Sequence, residues 1–416
     1  MTTTLNLTEV RESFPALKGE QVYLDNAGGS QTLGAVADKI RDYLLNTNVQ
    51  LGASYTTGQK STTIYNKGYE AAAKYINATP DEIVLGSSTT QLFRNVSHAL
   101  ASSSSSSSFI NPGDEIILSP VDHEANIAPW VSLAARLKLS IKWWHPNTTS
   151  NNPKLVPSDL ANLLTHKTRL VTCTHASNIL GTIHDIKAIS STIRSFDNNQ
   201  NKILLAVDGV AYAPHRPIDV KHLGVDFYAF SWYKVYGPHI SMLYASPLAL
   251  SRLESLGHYF NGSSSLQEKL ALAGSSYELV TGIEAVTSYL DDGAKKWEGI
   301  EKQEGELQGR LLGWLNGKGE LITVWGERSA DTAVRVPTVS FTIKGWASKE
   351  FVEAVEAETG GRFGFRWGSF YSVRLIGETM GLDWSDGVVR VSLVHYNTLE
   401  EVDALIEVFE KVLNRV

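Results

Sequence analysis

Short apolar runs and amphipathic stretches alternate through the first part of the chain, up to about residue 290. Most of the runs end in small polar residues, and side chains at helical spacing follow them. Strands that alternate with helices favour a mostly parallel sheet with helices on both faces. The runs predict strands at residues 82–85, 115–119, 141–144, 169–174, 203–207 and 227–230.

The pattern changes near residue 290, where long charged amphipathic stretches begin. We therefore predict a large domain at residues 15–290 and a smaller α+β domain at residues 291–416, on which residues 1–14 pack. The serine run at residues 102–108 predicts a longer surface loop. The C-terminal part predicts helices at residues 293–315, 347–359 and 398–413 and strands at residues 339–343 and 388–394.

Composition excludes several classes of partner. The formal net charge of −7 makes nucleic acid an unsuitable partner. The length of 416 residues is too great for a single hydrophobic core, which agrees with two domains. No apolar run approaches the length of a membrane span, and the short polar start indicates no signal peptide, so we expect a cytoplasmic protein. The single cysteine, Cys173, excludes an internal disulfide and argues against a cysteine metal cluster, so no metal site is expected.

Two of the predicted buried strands are each followed by one ionisable residue. Asp208 follows the run at residues 203–207, and Lys234 comes shortly after the run at residues 227–230. Burying such groups is costly unless they are paired or used. An acid and a lysine at neighbouring strand ends suit pyridoxal 5′-phosphate (PLP), which needs a lysine for its Schiff base and an acid opposite its ring nitrogen.

The chain resembles the class V aminotransferases, the branch of PLP fold type I that includes the cysteine desulfurases. The resemblance implies a large domain built on a mostly parallel, seven-stranded type of sheet and a smaller α+β C-terminal domain. It rests on motifs that follow the order of the family: YLDNA at residues 23–27, DHEAN at 122–126, THASNILGT at 174–182, DG at 208–209, SWYK at 231–234 and RVSL at 390–393.

The resemblance implies roles for the catalytic group and for the substrate anchors. Lys234 would form the Schiff base and move protons, Asp208 would pair with the pyridinium nitrogen, and His123 would stack on the PLP ring and act as acid or base. Asn178 would bind the phenolic oxygen of the cofactor or the substrate carboxylate. Arg390 would bind that carboxylate through its guanidinium group.

The resemblance also implies a phosphate site and a dimer. The phosphate would bind hydroxyl groups and the backbone amides at the start of a helix, where the helix dipole favours an anion. A neighbouring subunit would contribute the segment around Ser275, which implies a homodimer with shared active sites. The residues assigned to the phosphate are Thr89, Thr90, Gln91, Ser231, Tyr233 and Ser275.

The chain departs from the desulfurases at the residue that gives them their activity. Desulfurases carry a nucleophilic cysteine on a loop near the carboxyl end, and the corresponding stretch here is residues 362–372, with Tyr371 near the place of the cysteine. Cys173 lies far upstream in a predicted buried strand. We expect the aromatic and basic side chains of this stretch, Arg366 and Tyr371 among them, to contact substrate.

The sequence is therefore similar to the subgroup that lacks the cysteine, which includes PLP enzymes of fungal alkaloid pathways such as that of loline. This implies an external aldimine with a small amino acid, loss of the Cα proton to a quinonoid, and then carbon–carbon bond formation in a Mannich-type ring closure. Transamination, lyase chemistry by desulfurase-type β-elimination at a C–S bond, and epimerisation are alternatives, since the cofactor supports each. A non-catalytic binding protein on the same fold is a second alternative.

Overall fold

A seven-stranded sheet and a four-stranded sheet organise the molecule, with a two-stranded sheet beside them. The computed structural model describes residues 5–101, 109–147, 150–198, 200, 202–291 and 293–415, so the predicted serine loop lies outside the described residues. The strands are β1 (Val22–Tyr23), β2 (Ile83–Gly86), β3 (Glu115–Leu118), β4 (Ser140–Trp143), β5 (Thr168–Thr174), β6 (Leu204–Asp208), β7 (Phe227–Ser231), β8 (Ser241–Ala245), β9 (Ile322–Trp325), β10 (Thr338–Ile343), β11 (Phe363–Gly364), β12 (Arg366–Gly368) and β13 (Val388–Ser392).

Helices cover the sheets. The long amphipathic stretches of the sequence form most of them, and the residues that each helix buries recur at helical spacing. The α-helices are α1 (Leu7–Glu12), α2 (Gly34–Asn46), α3 (Thr56–Tyr75), α4 (Thr89–Ala101), α5 (Ala128–Leu137), α6 (Pro157–Ala161), α7 (Ile186–Phe196), α8 (Val220–Leu223), α9 (Pro247–Arg252), α10 (Leu266–Leu270), α11 (Tyr277–Leu290), α12 (Gly293–Gly317), α13 (Ser348–Thr359) and α14 (Leu399–Leu413).

The large sheet has the strand order β2-β8-β7-β6-β5-β3-β4. Strands β7, β6, β5, β3 and β4 are parallel, and β8 runs antiparallel to both of its neighbours. Leu170 of β5 lies in the core on one face, whereas Val171 and Cys173 lie in the core on the other face. Because both faces are covered, the central strands read as continuous apolar runs, and the predicted α/β class is confirmed.

The C-terminal part is built on the antiparallel sheet β12-β13-β10-β9. Helices α12, α13 and α14 pack beside it around a separate apolar core. Helix α1 contacts this part, since Arg11 donates to the carbonyl oxygen of Tyr396 and pairs with Glu401 at 2.8 Å. The domain boundary at residues 290–291 stays a prediction, and it falls between α11 and α12.

The structure adds elements that the apolar runs did not predict. Strand β8 enters the large sheet after the turn at Gly237, and β9 forms an edge of the small sheet. Helix α4 begins at Thr89, shortly after β2 ends at Gly86. This start places Thr89 and Thr90 in the first turn of the helix, next to the carboxyl end of β2.

Candidate active site

The carboxyl ends of the central strands open into one cavity. It has an empty volume of about 490 Å³, part of which is open to solvent. Parallel sheets of this kind bind ligands at the carboxyl ends of their strands. The fold brings most of the predicted cofactor residues to this cavity: Thr89, Thr90, His123, Asn178, Asp208, Ser231, Tyr233 and Lys234.

Lys234 and Asp208 are the buried charged pair of the cavity. Lys234 lies in the 3-10 turn after β7 and is 9% exposed, and Asp208 ends β6 and is 4% exposed. Burial, together with the positive charge of Arg390, lowers the pKa of Lys234 to about 8, although Asp208 opposes this shift. Burial raises the pKa of Asp208 to about 6, against the backbone amide of Val210 and the charge of Lys234, which lower it. The lysine therefore reaches its neutral, nucleophilic form at a lower pH than an ordinary lysine does.

Local packing fixes the Asp208 carboxylate. Its Oδ1 accepts from the amide of Val210 at 2.9 Å. A Cβ at Gly209 would lie 2.2 Å from the ring of Tyr228, so only glycine fits after the acid. The Tyr228 hydroxyl in turn bonds Nδ1 of His175 at 2.8 Å, and the His175 ring stacks on Tyr212 at 3.5 Å. These contacts hold β6 and β7 in place behind the acid.

Hydroxyl groups converge at the first turn of α4. The Thr89 hydroxyl bonds the Ser231 hydroxyl at 2.9 Å, and Ser231 bonds Ser241 of β8 at 2.7 Å. A helix N-terminus with hydroxyl donors is suited to a phosphate dianion. The donor set of the cavity thus fits PLP, because a lysine and a buried acid at the ends of the adjacent strands β7 and β6 share the cavity with an anion site at the start of α4.

His123 lies in the cavity as a neutral ring. Burial, with the positive charges of Lys234 and Arg390, lowers its pKa to about 3. Its Nδ1 accepts from the amide of Ala125 at 3.0 Å, which leaves the ring proton on Nε2. The ring centroid lies 5.3 Å from that of Tyr371. Stacking of His123 on the cofactor stays a prediction.

Asn178 anchors the segment at residues 369–372. Its Nδ2 donates to the carbonyl oxygen of Phe370 at 3.0 Å, and its Oδ1 accepts from the Ser372 hydroxyl at 3.0 Å. The amide of Glu124 donates to the Tyr371 carbonyl oxygen at 2.9 Å. Phe370 and Tyr371 both have positive φ, 47° and 60°, a costly conformation for such side chains. These contacts hold residues 369–372, named here the wall segment, in a fixed position beside Asn178 and His123.

Arg390 and Arg366 share one carboxylate. Nη2 of Arg390 donates to Oδ1 of Asp25 at 2.7 Å, and Nε of Arg366 donates to Oδ2 at 2.5 Å. Arg390 also donates to the carbonyl oxygen of Asn178 at 3.2 Å, and its guanidinium lies 3.6 Å from the Phe370 ring centroid. Burial lowers the pKa of Arg390 to about 10, so it stays charged at neutral pH. Binding of a substrate carboxylate there stays a prediction.

The lining of the cavity does not include five of the assigned residues, which are Arg366, Tyr371, Arg390, Gln91 and Ser275. The Gln91 amide donates to the Ser88 hydroxyl, and the Gln91 side chain accepts from Ser87 and lines a neighbouring cavity. Ser275 is exposed and lines that same neighbouring cavity. The assignment of Ser275 concerned the site of a partner subunit, so it stays a prediction.

Sequence reasoning missed two residues of the site. Asp25 holds the two arginines, and Asp122 is fully buried behind His123, where burial raises its pKa well above its usual range. Asp25 and Asp122 both lie within motifs that resemble the family, so their position there was an available signal. Phe370 belongs to the stretch at residues 362–372, whose aromatic side chains were expected to contact substrate.

Cys173 is fully buried in β5, and burial raises its pKa well above the usual range. It therefore stays a protonated thiol in an apolar core. Across the described ranges no three His, Cys, Asp or Glu side chains are grouped to hold a metal ion. No helix in the described part of the chain is long and apolar enough to cross a membrane.

Sequence comparison identifies the family. The profile of the aminotransferase class-V family matches residues 22–405. The chain belongs to the class V aminotransferases. The family is PLP-dependent, and the chain is accordingly a PLP-dependent enzyme, as predicted.

Fungal proteins are among the relatives of this class V chain. Aminotransferase-like protein FGM3 of Gibberella zeae is 56% identical over 415 residues, which cover 99% of each protein. Cysteine desulfurase-like protein ustD of Aspergillus flavus is 39% identical over 99% of this chain and 91% of its own length. Nonribosomal peptide synthetase-like enzyme fsqF of Aspergillus fumigatus is 38% identical over 97% of this chain and 26% of its own length.

Solved structures agree with this family. The cysteine desulfurase CsdA of Escherichia coli superposes with a TM-score of 0.83 at 27% identity, over 99% of this chain and 100% of that one. The apo cysteine desulfurase of Thermococcus onnurineus NA1 gives a TM-score of 0.85 at 24% identity over both chains in full, which shows the fold. The predicted PLP fold type I architecture is confirmed.

Proposed function

We propose that this enzyme generates a carbanion at Cα of a small amino acid and joins it to a carbon electrophile, without sulfur transfer through a protein thiol. The observation that carries the proposal concerns the positions of two residues, Cys173 and Tyr371. Cys173, which is the only cysteine, is buried in β5, whereas Tyr371 stands over His123 on the wall segment. The fungal relatives, one of them named as nonribosomal peptide synthetase-like, support a role in fungal secondary metabolism.

The residues of the cavity divide the work. Bound PLP supplies an electron sink for the bond electrons released at Cα. Lys234, with its pKa lowered to about 8, would hold the cofactor and would accept the proton from Cα of the substrate. Asp208 would favour the protonated ring nitrogen through a charge-assisted hydrogen bond. Arg390 orients the substrate carboxylate and thus the bond to be broken.

The wall segment supports the proposal that the enzyme does not transfer sulfur. A desulfurase needs a thiolate that reaches sulfur on the bound substrate. Residues 369–372 offer a phenol and a benzyl ring at that place, and Asn178 fixes their backbone. A carbon electrophile needs no protein nucleophile, only room and orientation beside the carbanion. The aromatic faces of Phe370 and Tyr371 can line that room.

We also propose a homodimer with shared active sites. Ser275 is exposed, and exposed apolar side chains surround it, with Phe260 71% exposed and Leu272 51% exposed. Apolar residues clustered at the surface are typical of an interaction site. A second subunit seated on this patch would bring Ser275 toward the phosphate end of the neighbouring cavity.

The alternatives begin with the same step. Transamination, β-elimination and epimerisation all need the Cα proton removed, so the cavity residues support each of them. The wall segment favours bond formation over desulfurase-type elimination, because no thiol stands ready to take sulfur. A binding protein without catalysis is disfavoured by Lys234, since burying an unused lysine is costly.

The test follows the Cα hydrogen and the product mass. Purified enzyme with PLP is incubated in D2O with a panel of amino acids, with and without aldehyde acceptors, and products are measured by mass spectrometry. We expect Cα deuteration and, with an acceptor, a product that contains both carbon skeletons. Lys234→Ala should abolish deuteration, whereas Lys221→Ala, at an exposed lysine, should not.

The same samples test sulfur transfer. With L-cysteine we expect no persulfide on the protein, and Cys173→Ala should turn over the panel like the wild type. A persulfide on Cys173, with activity lost in Cys173→Ala, would return the enzyme to the desulfurases. Products that only ever carry the skeleton of the amino acid would favour an aminotransferase or an epimerase.

A further inference from the structure

We propose that Asp25 is a positioning residue for the substrate carboxylate, acting through the two arginines that it holds. The inference rests on the proposed function, because it concerns how the same amino-acid substrate is bound. Asp25 accepts from Arg390 through one oxygen and from Arg366 through the other. One carboxylate therefore sets the orientation of both guanidinium groups.

The two arginines differ in how much else holds them. Arg390 is 1% exposed and has the Asn178 carbonyl and the Phe370 ring as further partners. Arg366 has an exposed side chain, and its guanidinium lies 5.3 Å from the same Phe370 ring. Without Asp25, Arg366 would keep no ionic partner among those observed in the structure. Its long side chain would then be free to turn into solvent.

Arg390 retains an unused donor. Its Nε is buried and has no hydrogen-bond partner among the described residues. A buried guanidinium donor without an acceptor is costly, and an anionic ligand removes that cost. The orphaned Nε leaves Arg390 with one donor whose acceptor the described residues do not supply, and a carboxylate is an acceptor of the kind that a guanidinium group binds.

The backbone is shaped to allow this arrangement. Asp25 follows β1 and forms a bridge with Ser392, two residues beyond Arg390 on β13. A Cβ at Gly28 would lie 2.7 Å from both Nη2 of Arg366 and Oδ2 of Asp25. Glycine at this position is therefore a condition for the shared carboxylate.

Loss of Asp25 has a specific chemical consequence. The two like-charged guanidinium groups would repel each other with no carboxylate between them, and Arg390 would lose its strongest orienting bond. A hydrogen bond to a charged group is worth enough to change affinity by about tenfold or more. Only a ligand that carries a carboxylate should sense this change.

The test compares two ligands that differ in one group. L-alanine and ethylamine both offer an amine, and only L-alanine has a carboxylate. Their affinities for the PLP-loaded enzyme are measured from the change in the cofactor absorption band. For wild type we expect L-alanine to bind far more tightly. Asp25→Asn should weaken L-alanine about tenfold or more and leave ethylamine unchanged, and with an active amino acid it should raise KM more than it lowers kcat.

Further variants separate positioning from folding. Arg366→Gln, at an exposed side chain, should reduce the preference for L-alanine by a smaller factor, and Asp25→Glu should restore part of it. Asp38→Asn, at an exposed acid on α2, should change neither ligand. The inference is overturned if Asp25→Asn lowers the affinities for L-alanine and ethylamine equally. It is also overturned if the ratio of the two affinities is the same as in the wild type in both Asp25→Asn and Arg366→Gln. If the wild type binds ethylamine more tightly than L-alanine, Arg390 does not bind a substrate carboxylate, and this part of the proposed function is contradicted as well.

Discussion

The left-handed backbone at Tyr371 gives a quantitative prediction about the wall segment. Tyr371 has φ of 60° and is 76% exposed, so its side chain adds little packing while its Cβ adds backbone strain. We expect Tyr371→Gly to be more stable than Tyr371→Ala, which reverses the order found at ordinary positions. The two variants remove the same ring, so the comparison isolates the backbone.

The magnitude follows from two opposing contributions. In the folded state, a left-handed conformation costs a residue with a Cβ about 1–2 kcal/mol. In the unfolded state, glycine has more conformational freedom than alanine, which reduces the stability of the glycine variant by about 0.4–1 kcal/mol. Glycine should therefore be favoured by roughly 1 kcal/mol. For 416 residues the entropy of unfolding is about 0.9 kcal/mol/K, so the melting temperatures should differ by about 1 °C.

Calorimetry of the holoenzyme measures this difference, and Lys138 provides the matched control. Lys138 has φ of 55°, is exposed, caps the C-terminus of α5 and does not line the cavity. Lys138→Gly should exceed Lys138→Ala in stability by a similar amount, with normal activity. Both Tyr371 variants should alter substrate preference with little change in PLP binding, because the ring over His123 is lost. An alanine variant at 371 that melts at or above the glycine variant would refute the reasoning.

Two further predictions concern the lysine and the assembly. Because the pKa of Lys234 is lowered to about 8 and the neutral amine is the nucleophile, apoenzyme should bind PLP again faster as the pH rises through about 8. Arg390→Gln should move the midpoint of this pH dependence upward, because the positive charge of Arg390 helps to lower the pKa of Lys234. A rate of PLP binding that does not change across this range would contradict the lowered pKa. Mixing Lys234→Ala with Ser275→Tyr, each inactive alone, should restore part of the activity in heterodimers, and no restoration while subunits demonstrably exchange would count against shared sites.

The fold and the charged pair could be predicted because their signals are local. An apolar run that ends in Asp208 or leads to Lys234 is visible within a few residues, and burial on both faces of a parallel sheet explains why such runs are continuous. The order of the motifs then identified the architecture. Strand β8 was missed because it follows β7 across a tight turn with no α-helix between them, which departs from the alternation of strands and helices that marked the other strands.

The arrangement around the arginines could not be predicted because it depends on distant contacts. Asp25 meets Arg366 and Arg390 across 341 and 365 residues of sequence, and Asn178 meets Phe370 across 192. Nothing in the aromatic residues at 370 and 371 indicates a left-handed backbone, which glycine or asparagine would have suggested. Tertiary hydrogen bonds, rather than local preference, impose that conformation.

The triple engagement of Asn178 has a consequence for how this enzyme can change. Its side chain fixes the wall through Phe370 and Ser372, while its carbonyl oxygen receives Arg390. Contacts that share one residue are not energetically independent. Substitutions in the wall and in the carboxylate anchor should therefore show epistasis, so that the outcome of one depends on the other. Natural or directed evolution toward a new substrate would have to pass through coordinated pairs of changes rather than a sequence of independent ones.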